Sequence, residues 1–307
     1  MENDHSVVTE SLGGNSAALV DLSIQRRRQE IISRLEFLPP LPTAAQEVLS
    51  IGADDPKYII RLEQTIRHDP ALASQILKVA NCALYAPLSA IDTVQRAIVY
   101  LGFSEVRSIA LGLSIFGLFK SKNAMKGINQ EEFWTHAIAT ATVSRMLAFE
   151  LGEEDTEVFF TAGLLHDIGR IAIGACFPEE WADIVRVAEE EDCPLLIAER
   201  KVGLPHCLIG AWLAKNWGLP KIYERTIATH HLSVKHPKAT QMGALVQLAD
   251  HICHKIGMGL FSAPRIQRPV LIAYLGLTED LVDELEEQLV ELEGIATTLT
   301  DMISHVT

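Results

Sequence analysis

The stretch Gly163-Leu164-Leu165-His166-Asp167-Ile168-Gly169 decides how this chain is read. It lies in an apolar segment, Asp155 to Ile173, whose residues repeat with a helical period. His166 shares a helix face with Phe159, Ala162 and Gly169, so an ionisable pair sits among core residues. Neighbouring helical residues point about 100° apart. On a continuous helix, His166 and Asp167 reach one point only if an ion lies between their directions.

The same conflict of charge and apolar surroundings recurs outward from this stretch. His136 shares a face with Phe133, Thr140 and Val143. His206 lies with Ile209 and Leu213, and His230 lies with Tyr223 and Ile227, with His231 beside it. Asp250 shares a face with Gly243, Val246, Cys253 and Gly257. A carboxylate on an apolar face costs several kcal/mol unless it is paired. A divalent cation or protonated imidazoles must therefore offset Asp167 and Asp250. Two carboxylates with several imidazoles suit one or two divalent first-row ions: Fe, Mn, Zn, Co or Ni. Such an ion can polarise a phosphoryl oxygen and lower the pKa of bound water. A single histidine on an apolar face is ordinarily a satisfied core residue, and His5, His68, His236, His251, His254 and His305 are read as core or solvent-exposed. Periodicity does not by itself establish that the other helices converge.

The rest of the chain reads as helical from Ser23 onward, with no strand hairpin signal, so the expected fold is all-α. Leu38-Pro39-Pro40-Leu41-Pro42 is a rigid lead-in after which Thr43 caps a helix over Ala44 to Ile51. Asp54-Asp55-Pro56 and Asp69-Pro70 start two more helices, and Ser104 caps a long one that ends near Phe119. Asn81 ends the helix begun at Asp69-Pro70 and is expected to hold the following irregular loop through backbone hydrogen bonds. The polar stretch Lys120 to Asn129 reads as a linker. The expected division is a loose arm over 1–22, an N-terminal helical subdomain over 23–125, and a metal-site helical subdomain over 126–307. The last of these ends in an amphipathic helix, Glu279 to Leu292.

The chain has 307 residues and a net charge of −14, which repels phosphate backbones and argues against bulk nucleic-acid binding. Its five cysteines include no Cys-x-x-Cys, which suits reduced thiols in a cytoplasm. No signal peptide and no apolar run of about 18 residues is expected, hence no membrane span.

The central stretch resembles the motif of the HD metal-dependent phosphohydrolase superfamily: a His, then His-Asp, then a distant Asp. The residues that match are His136, His166-Asp167 and Asp250. His206, His230 and His231 resemble the extra ligands of the dinuclear HD-GYP phosphodiesterases. Leu38 to Pro42, Asp69-Pro70-Ala71-Leu72, Leu77 to Asn81, Tyr85, Ala97 to Gly102, Phe133-Trp134 and Trp217-Gly218-Leu219-Pro220 resemble the HDOD family, the HD-related output domain. The resemblance covers about Ile31 to Gly257. Two departures argue against cyclic di-GMP cleavage. His231 is followed by Leu232-Ser233-Val234-Lys235-His236-Pro237 without Gly-Tyr-Pro, and Arg170 replaces the usual lysine.

The resemblance implies a bacterial signal-transduction module that binds a signalling protein or a small nucleotide ligand, with a retained metal site. The alternative it implies is a metal-dependent phosphohydrolase or phosphodiesterase acting on a nucleotide or cyclic dinucleotide. For such chemistry Asp167 and Arg170 are the catalytic candidates, and Arg170, Lys201 and Lys235 are candidate phosphate contacts.

Overall fold

A computed structural model describes residues 29–36, 38, 40–51, 55–81, 87–117, 130–260 and 262–289. The chain divides into two units at residues 39 and 40. The first contains one described helix, α1, residues 29–35. The second opens with α2 (Thr43–Ser50), α3 (Tyr58–His68), α4 (Pro70–Ala80), α5 (Val94–Leu101) and α6 (Phe103–Gly117). It continues with α7 (Gln130–Glu150), α8 (Thr156–Leu165), α9 (Ile168–Cys176), α10 (Pro178–Glu190) and α11 (Leu195–Val202). Then come α12 (His206–Asn216), α13 (Lys221–Thr229), α14 (Gln241–Lys255), α15 (Arg268–Leu275) and α16, residues 279–289. Every regular element among the described residues is a helix, so the fold is all-α.

Local chemistry sets several of these boundaries. Asp69 Oδ1 accepts from the N–H groups of Ala71 and Leu72, both at 3.0 Å, and Pro70 fills the first turn of α4, where its missing N–H is not needed. Thr93 caps α5 by accepting from Arg96 N–H at 3.2 Å. Gly102, at φ +92°, turns the chain directly into α6. The cap expected at Thr43 is not made: Thr43 is the first residue of α2, and Pro42 holds the cap position in extended backbone. The helix thus starts one residue earlier than its side chains suggest, directly after the proline-rich lead-in. Likewise α6 begins at Phe103, ahead of Ser104.

Asn81 behaves as its position predicts. Its Nδ2 donates to Leu77 O and Ile91 O, both at 2.7 Å, and its Oδ1 accepts from Ile91 N–H at 2.7 Å. The amide side chain substitutes for a backbone partner ten residues away along the chain.

The largest difference from the periodic reading lies at the central stretch. The helix expected over Asp155 to Ile173 is two helices, α8 and α9, with a turn at His166 and Asp167. The backbone of Asp167 leaves the helical region at φ −101° and ψ 10°. Together Thr156–Cys176 is apolar and long enough to cross a membrane by composition, yet 89% of its most apolar window is buried inside the fold. This stretch is the core of the molecule: α8 packs on α7, α6, α13 and α14, while α9 packs on α10 and α12.

Glycine sets the closest of these approaches. A Cβ at Gly169 would stand 2.0 Å from the carbonyl oxygen of His206 and 2.8 Å from Gly210 N, so α9 meets α12 backbone against backbone. Helices α6, α7 and α8 are tied by polar contacts: Ser108 donates to Glu157 at 3.0 Å, and Arg145 pairs with Glu105 and with Glu157 at 3.3 Å. The arm over 1–22, the join at Lys120 to Asn129 and Leu292 lie outside the described residues.

Candidate metal centre

Six helices deliver the ionisable side chains to one place. His136 comes from the middle of α7, His166 and Asp167 from the turn between α8 and α9, and His206 from the first position of α12. His230 and His231 come from the end of α13, and Asp250 from α14. The turn at His166-Asp167 resolves the directional problem of adjacent helical residues, because both side chains now face the same centre. His166 Nε2 lies 3.4 Å from Asp167 Oδ2, and His136 Nε2 lies 3.3 Å from Asp250 Oδ1 and 3.8 Å from Asp167 Oδ2. On the other oxygen, Asp167 Oδ1 stands 3.1 Å from His206 Nε2 and 3.8 Å from His230 Nε2. Asp167 therefore sits between two groups of imidazoles. The side chains of His166, His206 and His230 are 0% exposed, and those of His136 and Asp167 are 1% exposed.

The rings are fixed from behind. His136 Nδ1–H donates to Met258 O at 2.9 Å, His166 Nδ1–H to Gly163 O at 2.6 Å, and His230 Nδ1–H to Ile227 O at 2.9 Å. Each bond spends the Nδ1 proton on a carbonyl and leaves the Nε2 lone pair facing inward, the arrangement found behind metal-bound imidazoles. His136 Nε2, His166 Nε2, Asp167 Oδ1 and Asp250 Oδ1 are all buried without a hydrogen-bond partner. Four inward-facing, unsatisfied donor atoms on nitrogen and oxygen fit a divalent first-row ion.

The charge balance supports the same conclusion. Burial opposes ionisation of Asp167, but Arg170, His166 and His206 outweigh it and hold the carboxyl well below the usual carboxylate range. Burial opposes ionisation of Asp250 too, and contacts with His136 and His254 hold it low. Burial pushes His230 down to about 4, so that ring is neutral and able to act as a ligand. Burial also opposes charge on His206, but its surroundings, the neighbouring Cys207 and the Glu199 carboxylate foremost, lift it to about 10.

Sequence reasoning named Arg170 but missed Glu199 and His254. Arg170, read as a phosphate contact, is buried with its guanidinium paired to Asp167, and its Nε donates to Glu199 Oε1 at 2.8 Å. Glu199 in turn takes His206 N–H at 3.0 Å and the His206 Nδ1. Nothing in the local pattern singles out Glu199. His254, read as a core or solvent-exposed histidine, stands one turn from Asp250 on α14 with its Nε2 3.4 Å from Asp250 Oδ1. That four-residue spacing was the available signal. Lys201 pairs with Glu191 at the surface, and Lys235 is exposed, so neither has a described contact with this centre.

A Geobacter sulfurreducens HDOD domain protein of unknown function shares 26% identity, with a TM-score of 0.78 over 88% of this chain and 96% of its own. A Marinobacter aquaeolei VT8 protein assigned provisionally to signal transduction shares 23% identity and a TM-score of 0.78, over 91% of this chain and 66% of its own. Ribonuclease Y of Nitratidesulfovibrio vulgaris is 30% identical over 162 residues, 53% of this chain and 22% of that protein. The chain spans well under half the length of the curated relatives it matches. The HDOD domain pattern matches residues 38–233, from the proline-rich lead-in through the turn at His166-Asp167 to His230-His231, and on that match the chain belongs to the HDOD family.

Proposed function

We propose that this protein is a regulatory output module of bacterial signal transduction, which binds a signalling protein or a small nucleotide ligand and holds divalent metal in its HD-type centre. One observation carries this reading: the donor set is complete, yet His136, His166, Asp167, His206 and His230 are sealed from solvent. A hydrolytic metal centre keeps a position open to water and substrate. A closed centre instead holds helices α7, α8, α9, α12, α13 and α14 in one arrangement, and a bound partner can read that arrangement on the surface.

His136, His166, Asp167 and Asp250 would hold the ion, with His206, His230 and His231 beside them for a second. Fe, Mn, Zn, Co and Ni all suit these nitrogens and oxygens. The ion when bound supplies Lewis acidity and a lowered pKa of coordinated water. Asp167 bridges the two groups of imidazoles, and Arg170 with Glu199 fixes the orientation of Asp167 and His206.

The second reading, a phosphohydrolase acting on a nucleotide, is favoured by a cleft of about 250 Å³ lined by His231, Ser233, Gln247, Arg265 and Val270. His231 forms part of its wall. The similarity to a ribonuclease over half of the chain fits this reading too.

Metal analysis combined with a turnover assay on nucleotide phosphodiesters separates the two. Stoichiometric metal without turnover is the expected result. Turnover that disappears in Asp167→Ala would overturn the regulatory reading in favour of the enzyme.

A further inference from the structure

The second group of donors contains a residue of a different kind. Cys207 follows His206 in the first turn of α12, and its Sγ lies 3.3 Å from His206 Nε2. His206 Nε2 lies 3.3 Å from His230 Nε2. The His231 ring lies 4.1 Å from the His230 ring, tilted by 45°, and meets the His206 ring edge-on at 5.2 Å. One donor atom from each of His206, Cys207, His230 and His231 falls within 4.8 Å of the others.

These spacings are meaningful. Two donors about 2.0–2.3 Å from one ion, at the tetrahedral angle, stand about 3.3–3.6 Å apart. The sulfur–nitrogen and nitrogen–nitrogen separations of 3.3 Å lie at that spacing. Without an ion it is a costly arrangement, since three imidazoles crowd a thiol in a largely buried space. His231 Nε2 is buried and has no hydrogen-bond partner. The surrounding shell is also built for ligation: Glu199 takes the Nδ1 of His206, and Ile227 O takes the Nδ1 of His230. A carboxylate behind an imidazole orients the ring and strengthens it as a ligand.

We propose that Cys207 is a metal ligand, and that His206, Cys207, His230 and His231 form a thiolate-bearing subsite selective for a borderline-soft ion of the zinc type. The thiol binds as the thiolate, with its proton released to solvent. Three imidazoles and one thiolate form a tetrahedral set that zinc accepts and that hard cations such as magnesium refuse. The two parts of the centre then differ in kind: His136, His166 and Asp250 offer only nitrogen and oxygen, while the part around Cys207 offers sulfur. This inference shares His206, His230 and His231 with the proposed centre but does not depend on Asp250 or His136.

Cobalt(II) is the probe, because thiolate ligation gives it a ligand-to-metal charge-transfer band in the near ultraviolet. The full chain is stripped of metal and titrated with cobalt. The expected result is a thiolate band in the wild type that zinc abolishes, that is lost in Cys207→Ser and Cys207→Ala, and that persists in Cys176→Ser and Cys193→Ser. No thiolate band in the wild type, or a band that survives in Cys207→Ser, overturns the proposal. Alkylation of the wild-type protein supplies a measurement that needs no variant. Saturating zinc should protect Cys207 at least tenfold while leaving Cys193 unchanged, and equal rates with and without zinc count against the proposal. Asp250→Asn keeps the failures distinguishable: it should lower total metal and leave the thiolate band intact. Unchanged total metal in Asp250→Asn alongside an intact band would defeat the HD-type centre and spare this subsite.

Discussion

Arg170 shows how one residue can bind a centre to its frame. Its guanidinium is buried between Asp167 and Glu199, and Glu199 holds both the N–H and the ring of His206. Glu199→Ala removes the partner of three buried polar groups at once: Arg170 Nε and the N–H and Nδ1 of His206. It should destabilise the protein by about 3–5 kcal/mol, read from urea unfolding, because a buried ion-pair network loses one of its two carboxylates and Asp167 alone is left to offset Arg170. Glu199→Gln keeps one acceptor oxygen and should lose less. A smaller loss for Ala than for Gln would contradict this account. Cys253 makes the opposite point about burial. It sits in the core of α14, where burial pushes its thiol up to about 12. Alkylating reagents attack the thiolate, so Cys253 should stay unmodified in native protein at neutral pH while half-buried Cys193 reacts. Peptide mass spectrometry after iodoacetamide treatment checks this, with labelling of Cys253 expected only in denaturant.

At the scale of elements, two contacts decide how helices are placed. Where α9 crosses α12, Gly169 leaves no room for a methyl group beside the His206 carbonyl. Overpacking costs typically 1–3 kcal/mol, and Gly169→Ala should fall at or above about 3 because its neighbour is backbone and cannot rotate away. Since His206 starts α12, the variant should also lose bound metal. Thermal melting with metal analysis tests both effects together. In the N-terminal helices, Asn81 joins the end of α4 to Ile91 through its side-chain amide. Asn81→Ala should cost about 1–3 kcal/mol for the bonds lost, seen as a lower denaturation midpoint with α4 still helical. An unchanged midpoint would mean that water replaces those bonds without loss.

For the whole molecule, metal and fold are linked, because the donor atoms come from helices far apart in the chain. An ion present at a hundred times its dissociation constant adds about 2.7 kcal/mol to stability. Chelation should therefore lower Tm by roughly 5–10 °C, and Asp167→Ala should start from a lower value and show a smaller further drop, because the Cys207 subsite takes no ligand from Asp167. Differential scanning calorimetry decides this, and an undiminished drop in Asp167→Ala would mean that Asp167 holds no ion. Much of this architecture is legible in the sequence. The Asp69-Pro70 start, the role of Asn81, and Asp250 and His166 on otherwise apolar faces all follow from spacing and residue type, since caps and periodicity are local. The turn at His166-Asp167 escaped that reading, because an apolar run has the same period whether one helix or two. Glu199 and the Met258 carbonyl were invisible for a related reason: they act on residues 7 and 122 positions away. The sequence by itself determined the helices and which ionisable groups need a partner in the core. Only the tertiary structure decided which partner each one meets, because that depends on where Gly169 and Gly210 let two backbones touch, a contact with no periodic signature in the chain.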